Sequence, residues 1–152
     1  IMTYYMKNVL FLITILISLS SCLNDTKQID NDKVIVDYLK KHDRVATKNA
    51  YGLYYNIVKE GTGDYATLGT TILAQYTRYF TDNVVFDSSD GDTLIFPLKN
   101  LILGWQIGLP NIKPGGEITL YIPPYLGYGE GFRGSYAINS VLIFDIKLLG
   151  LK

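Results

Sequence analysis

The sequence predicts an α+β fold, an antiparallel sheet packed on one short helix and preceded by an extra N-terminal helix, and three observations carry that reading. From Tyr51 onward, apolar and polar side chains alternate with a period of two in several short runs. In that region one stretch, Leu98 to Leu109, has helical spacing instead. Clusters of Gly, Pro, Asp and Asn punctuate the runs as turns. Composition agrees: 48% of the 152 residues are apolar and 18% charged, which excludes a disordered or coiled-coil chain. The 14 basic and 14 acidic side chains cancel, so there is no electrostatic handle for nucleic acid and no such partner is expected. One cysteine permits no internal disulfide, and with one histidine it cannot build a metal cluster of ordinary spacing; neither metal nor cofactor is expected.

Ile1 is a poor initiator, and Met6 reads best as the start: Lys7 supplies a positive charge, Val9 to Leu19 an apolar run, and Leu19-Ser20-Ser21-Cys22 a small-residue cleavage site. Residues 1–21 therefore read as a signal peptide, the apolar run being about half of the roughly 20 residues a spanning helix needs. Leu-Ser-Ser-Cys resembles the bacterial lipobox, which implies lipidation of Cys22 and a membrane partner through that anchor. Several acyl chains, at about 0.8 kcal/mol per buried methylene, would hold the chain on a bilayer surface. The polar residues 22–30 form a spacer, and the expected location is the bacterial cell envelope, on its periplasmic or surface side.

Residues 31–50 hold the extra helix: Asn31 is the expected cap, Val34, Ile35, Tyr38 and Leu39 share a face, and His42 sits at the polar end. The main domain spans 51–152. Leu53, Tyr55 and Ile57 alternate with Tyr54, Asn56 and Val58 until Glu60-Gly61-Thr62-Gly63-Asp64 turns the chain. Thr70 to Phe80 forms a second strand, and Thr81-Asp82-Asn83 turns it into Val84-Val85-Phe86 as a hairpin. Leu98 to Leu109 is the expected helix, with Leu101, Ile102, Trp105 and Leu109 on one face and Pro110 as its stop. Pro114-Gly115-Gly116 is a turn, and Glu117 to Ile122 and Val141 to Leu149 are the remaining strands.

Seven blocks, Gln75-Tyr76-Thr77, Val85-Phe86-Asp87-Ser88-Ser89, Gly104-Trp105, Lys113-Pro114-Gly115-Gly116, Ile122-Pro123-Pro124, Gly127-Tyr128-Gly129 and Asn139 to Asp145, stand in an order and spacing that resembles the FKBP-type peptidyl-prolyl isomerases over residues 51–152. The spacer, helix and lipobox are similar to a membrane-anchored bacterial branch of that family. The resemblance implies a curved half-barrel sheet wrapped around the helix, with a shallow aromatic pocket lined by Tyr76, Phe86, Asp87, Leu101, Ile102, Trp105, Tyr128 and Phe144. Trp105 would be the floor beneath a prolyl ring and Phe86 and Phe144 its walls. The Ile102 N–H and the Tyr128 hydroxyl would be donors, and Asp87 would sit at the rim beside Tyr76. The implied partners are proline-containing polypeptides and the implied state a monomer. The rival reading is a catalytically weak chaperone or partner-binding module on the same fold.

Rotation about an X-Pro bond needs no nucleophile, metal or cofactor. Its barrier of about 18–20 kcal/mol comes from amide resonance, and a dry aromatic pocket that prefers the twisted, less polar amide lowers it. The chain departs from the family pattern at three points. Asp90-Gly91-Asp92-Thr93 offers no arginine to pair with Asp87, and the aromatic expected near Leu94 is either replaced by Leu94 or supplied by Phe96. Tyr136-Ala137-Ile138 stands where the family carries Ile-Pro-Pro. Phe96, Tyr136 and Ile138 are thus the expected substrate-loop residues, with a loosened flap in which Tyr136 covers the substrate proline. The acidic run Asp87 to Asp92 fails EF-hand spacing and is not read as a metal site.

Overall fold

A computed structural model describes residues 31–129 and 140–152, and within them all seven strands join one open antiparallel sheet in the order β1-β2-β6-β7-β3-β4, with β5 beside β4 on the same edge of β3. The strands are β1 Thr47–Lys48, β2 Tyr54–Lys59, β3 Thr71–Tyr79, β4 Val85–Ser88, β5 Leu94–Pro97, β6 Gly116–Ile122 and β7 Leu142–Leu151. Helix α1 covers residues 31–41 and helix α2 is Leu103–Gly108. The expected strands and hairpin are present, the turn closing with Asn83 at φ +64° and Asp82 Oδ1 accepting from the Val84 N–H at 2.9 Å. Sequence periodicity missed β1 and β5, which are too short to show a repeat; each is recruited by a neighbour, β1 by β2 and β5 by β3.

Strand periodicity sends alternate side chains to two separate cores. On β7, Leu142, Phe144, Ile146 and Leu148 join Leu120, Ile122, Ile72 and Trp105 on the α2 side. On the other face, Ile143 joins Tyr54, Tyr79 and Tyr121 beneath Ile35, Tyr38 and Leu39 of α1. Two expectations for α1 need correction. Asn31 is already helical, so it is not the cap, and Val34, placed on the apolar face by spacing, is 43% exposed. His42 packs on the Tyr38 ring at 4.4 Å. Just beyond it, Arg44 Nη1 donates to Tyr79 Oη at 3.0 Å, and that hydroxyl donates to Asp145 at 2.8 Å, binding the end of α1 to the sheet.

The predicted 12-residue helix is broken into three pieces. A 3₁₀ turn at Leu98–Asn100 is followed by extended Leu101 (φ −87°, ψ 169°) and Ile102 (φ −60°, ψ 152°), then α2, then a 3₁₀ turn at Leu109–Asn111. Leu101 and Ile102 therefore do not lie on a helix face, and Pro110 sits inside the second 3₁₀ turn rather than stopping α2. The break is held by side-chain substitution for backbone bonds: Gln106 Nε2 donates to the carbonyls of Leu101 (2.6 Å) and Lys99 (3.2 Å). Among the described residues no helix is long and apolar enough to cross a membrane.

Candidate functional site

Strands β3, β4, β5 and β7, helix α2 and the segments around them converge on a cavity of about 240 Å³ at the mouth of the α2-side core, lined by Tyr76 and Arg78 of β3, Asp87 of β4, Phe96 of β5, Asn100 to Ile102, Trp105 of α2, Tyr128 and Phe144 of β7. Its size is small beside the roughly 300–1,000 Å³ of drug-sized ligand sites, which suits one ring and the amide attached to it. A larger hollow, about 740 Å³, lies on the opposite face of the sheet among Thr77, Thr119, Asp145 and other polar groups. Size alone would favour that hollow. Chemistry favours the smaller one, because ring-lined walls with a few convergent polar atoms are what a specific small site needs.

The base of the cavity is Trp105, only 4% exposed. It meets Tyr76 (5.6 Å, 85°), Phe96 (6.2 Å, 81°) and Phe144 (5.4 Å, 90°) edge to face, each such pair contributing about 0.5–1.5 kcal/mol beyond burial. Trp105 reaches this position because α2 lies directly on β6: a Cβ on Gly104 would come within 2.6 Å of Ile122, and one on Gly108 within 2.6 Å of Leu120. At the rim, extended Ile102 starts α2; among the described residues its N–H has no partner, while its carbonyl accepts from Trp105 and Gln106.

Asp87 is drawn in by two partners. Tyr76 Oη donates to its Oδ2 at 2.8 Å, and Arg78 Nη2 lies 3.3 Å from the same oxygen. Burial first, and then the bond to Asp87, push the Tyr76 phenol up to about 12, so it remains a donor across the physiological range. The Asp87 side chain is 40% exposed, so its ion pair fixes geometry more than it stabilises the fold. The turn after β4 is held by the Ser88 hydroxyl, which accepts from the Asp90 N–H (3.0 Å), while the Ser89 hydroxyl accepts from the Tyr76 N–H of β3 (3.1 Å).

Arg78 is the residue that sequence reasoning missed. The cation absent after Asp87 arrives instead from the neighbouring strand, where Arg78 is the register partner of Asp87. The signal was available: Arg78 lies two residues after Tyr76, so both face the cavity once β3 is assigned. A bulge completes the arrangement. Tyr79 pairs with Val85 and Arg78 with Asp87, leaving Phe86 as the extra residue and turning it toward the side Asp87 occupies. Phe86, expected as a cavity wall, is therefore set back. It stacks on Phe80 (4.3 Å, 7°) and carries the Arg78 guanidinium 3.8 Å above its ring. Arg78 Nη1 donates to Tyr128 Oη at 2.7 Å. The buried Arg78 Nε has no partner, an arrangement that costs about 1–3 kcal/mol and so marks a conformation imposed by its surroundings.

The remaining sequence-predicted positions divide cleanly. Tyr76, Asp87, Phe96, Leu101, Ile102, Trp105, Tyr128 and Phe144 all border the one cavity, and Leu94 is not among its lining residues. Tyr136, Ile138 and Cys22 lie outside the described residues.

Comparison with known proteins agrees with this geometry. A family model for the FKBP-type peptidyl-prolyl cis-trans isomerase matches residues 63–149. The chain is 42% identical over 120 residues to an FKBP-type peptidyl-prolyl cis-trans isomerase, FkpA, of Buchnera aphidicola, an alignment covering 76% of this chain and 48% of that protein. It is 40% identical over 106 residues to the peptidyl-prolyl cis-trans isomerase Mip of Coxiella burnetii, covering 68% and 46%. The crystal structure of FkpA from Escherichia coli superposes with a TM-score of 0.72 at 35% identity, covering 84% of this chain and 62% of that one. The chain spans about half the length of the curated relatives it matches.

Proposed function

The chain belongs to the FKBP-type peptidyl-prolyl cis-trans isomerase family, and from that premise we propose that it accelerates cis-trans isomerisation of X-Pro bonds in exported polypeptides. The observation that carries the proposal is the cavity with Trp105 at its base and Tyr76, Phe96 and Phe144 edge-on around it. A prolyl ring seated on Trp105 leaves water, and its amide enters a region where the planar, dipolar form has lost its hydration. The twisted form, having less charge separation, loses less on entry, so the barrier falls without any bond being broken. The Ile102 N–H orients a substrate carbonyl. The Tyr128 hydroxyl, whose oxygen accepts from Arg78, is the second donor to the substrate in this reading.

Protease-coupled isomerisation of a proline tetrapeptide tests this directly. The full chain is expected to accelerate the slow phase, and Tyr128→Phe, which removes one donor and the acceptor of Arg78 Nη1, to lower kcat/KM about 2- to 10-fold in a protein that still folds. Slow-phase kinetics identical with and without the protein would refute the activity and favour the partner-binding alternative.

The same reading extends to the N-terminus. Residues 1–21 act as a signal peptide, Cys22 carries the lipid, residues 22–30 are the spacer and 51–152 the isomerase domain, which works as a monomer at the bacterial envelope. Leu19-Ser20-Ser21-Cys22 supports the anchor. Cys22→Ala is expected to move the protein from the membrane to the soluble fraction; unchanged membrane association would remove the lipid tether.

A further inference from the structure

Arg78 joins polar and aromatic groups at the rim of the cavity. It is 14% exposed, and its one guanidinium is held by Asp87 of β4 at 3.3 Å, by Tyr128 beyond β6 at 2.7 Å, and by the face of Phe86 at 3.8 Å, with the Phe144 ring 5.7 Å away. These groups come from separate parts of the chain.

We propose that Arg78 is the positioning residue of the cavity, a rigid two-pronged clamp that sets the separation of Asp87 and Tyr128 and presents a guanidinium plane where Phe86 stands back. The inference rests on the isomerase reading above and concerns how its site is assembled. Three physical reasons support it. A guanidinium is planar and donates in two fixed directions, so bonding both partners fixes their relative placement, which the single flexible ammonium of lysine cannot do. A hydroxyl that accepts from a cation becomes a better donor, which strengthens Tyr128 toward a substrate carbonyl. Stacking on Phe86 stops the guanidinium from swinging into solvent.

The test compares the full-length wild type, Arg78→Met, Arg78→Lys, Tyr128→Phe and the Arg78→Met/Tyr128→Phe double variant. Each is measured for kcat/KM on a proline tetrapeptide and for the Kd of that peptide, read from the fluorescence of Trp105, the sole tryptophan. Arg78→Met is expected to lower kcat/KM about 10-fold or more and to weaken binding several-fold, with Arg78→Lys recovering only part. The double variant is expected to lose little beyond Arg78→Met, because Tyr128 is effective only when held. Wild-type values in Arg78→Met, or losses that multiply in the double variant, overturn the clamp while leaving the isomerase reading intact. If the wild type binds the peptide without accelerating it, the activity is lost and the Kd series alone decides Arg78. If it neither binds nor accelerates, both fail. Should Arg78→Met not fold, wild-type kcat/KM and Kd in Arg78→Lys overturn the clamp.

Discussion

Trp105→Ala is expected to lower stability by about 3–5 kcal/mol in urea denaturation followed by circular dichroism, and to abolish most of the proposed isomerase activity. The size follows from its surroundings. Trp105 is 4% exposed and is the common partner of Tyr76, Phe96 and Phe144, so its removal opens a void under three rings that cannot all collapse into it. Domains of ordinary stability, about 5–15 kcal/mol, survive such a loss in weakened form, so the variant should fold at low temperature. Turnover should fall even there. Losing the surface under the prolyl ring forfeits about 2 kcal/mol of contact, which corresponds to roughly a 30-fold drop in kcat/KM. Trp105→Phe separates the two effects, since a smaller ring keeps part of the floor. A Trp105→Ala protein with wild-type stability and turnover would show that the cavity is not built on this residue.

The second large effect belongs to a residue with no side chain. Gly104→Ala places a methyl 2.6–2.8 Å from three carbons of Ile122, itself fully buried and unable to swing aside. Two terms oppose each other. Alanine in a helix interior is favoured over glycine by about 0.5–1 kcal/mol, whereas overpacking a filled core costs about 1–3 kcal/mol. The clash wins where neither side can yield, and α2 is pinned on its other side by Gln106 bonding back to Leu101. A net destabilisation of about 1–2 kcal/mol is expected, with reduced kcat/KM because the helix carries Trp105 away from β6. Ile122→Val removes the nearest carbon, so the double variant should be more stable than the sum of the two single changes predicts. Gly104→Ala melting at or above wild type would mean that α2 does not rest on β6 through its glycines.

Much of the site was legible because the residues that line the cavity are those whose chemistry is legible one at a time. Tyr76, Trp105, Tyr128 and Phe144 are large aromatic side chains at fixed places in short distinctive blocks, and each borders the cavity. Phe86 was misread because a strand pattern carries no sign of where a bulge falls; one extra residue in β4 altered which way it points. Arg78 was missed because its importance lies in a partner across the sheet. The expected partner of Asp87 was sought later in the same loop, whereas register brought it from β3.

What the amino-acid order determined by itself is the sheet and its sidedness: periods of two in β3, β6 and β7 set which residues could face α2 and which α1, because a strand offers its side chains only two directions. Only the tertiary structure decided the break at Leu101 and Ile102. Leu98, Leu101, Ile102, Trp105 and Leu109 satisfy helical spacing whether or not the helix is continuous, so local pattern cannot distinguish the two. The glycines at 104 and 108 let α2 settle on β6, and Gln106 replaces the backbone bonds given up at the kink. That long-range packing leaves Ile102 extended at the rim and Trp105 at the base, which is the difference between a buried helix and a pocket.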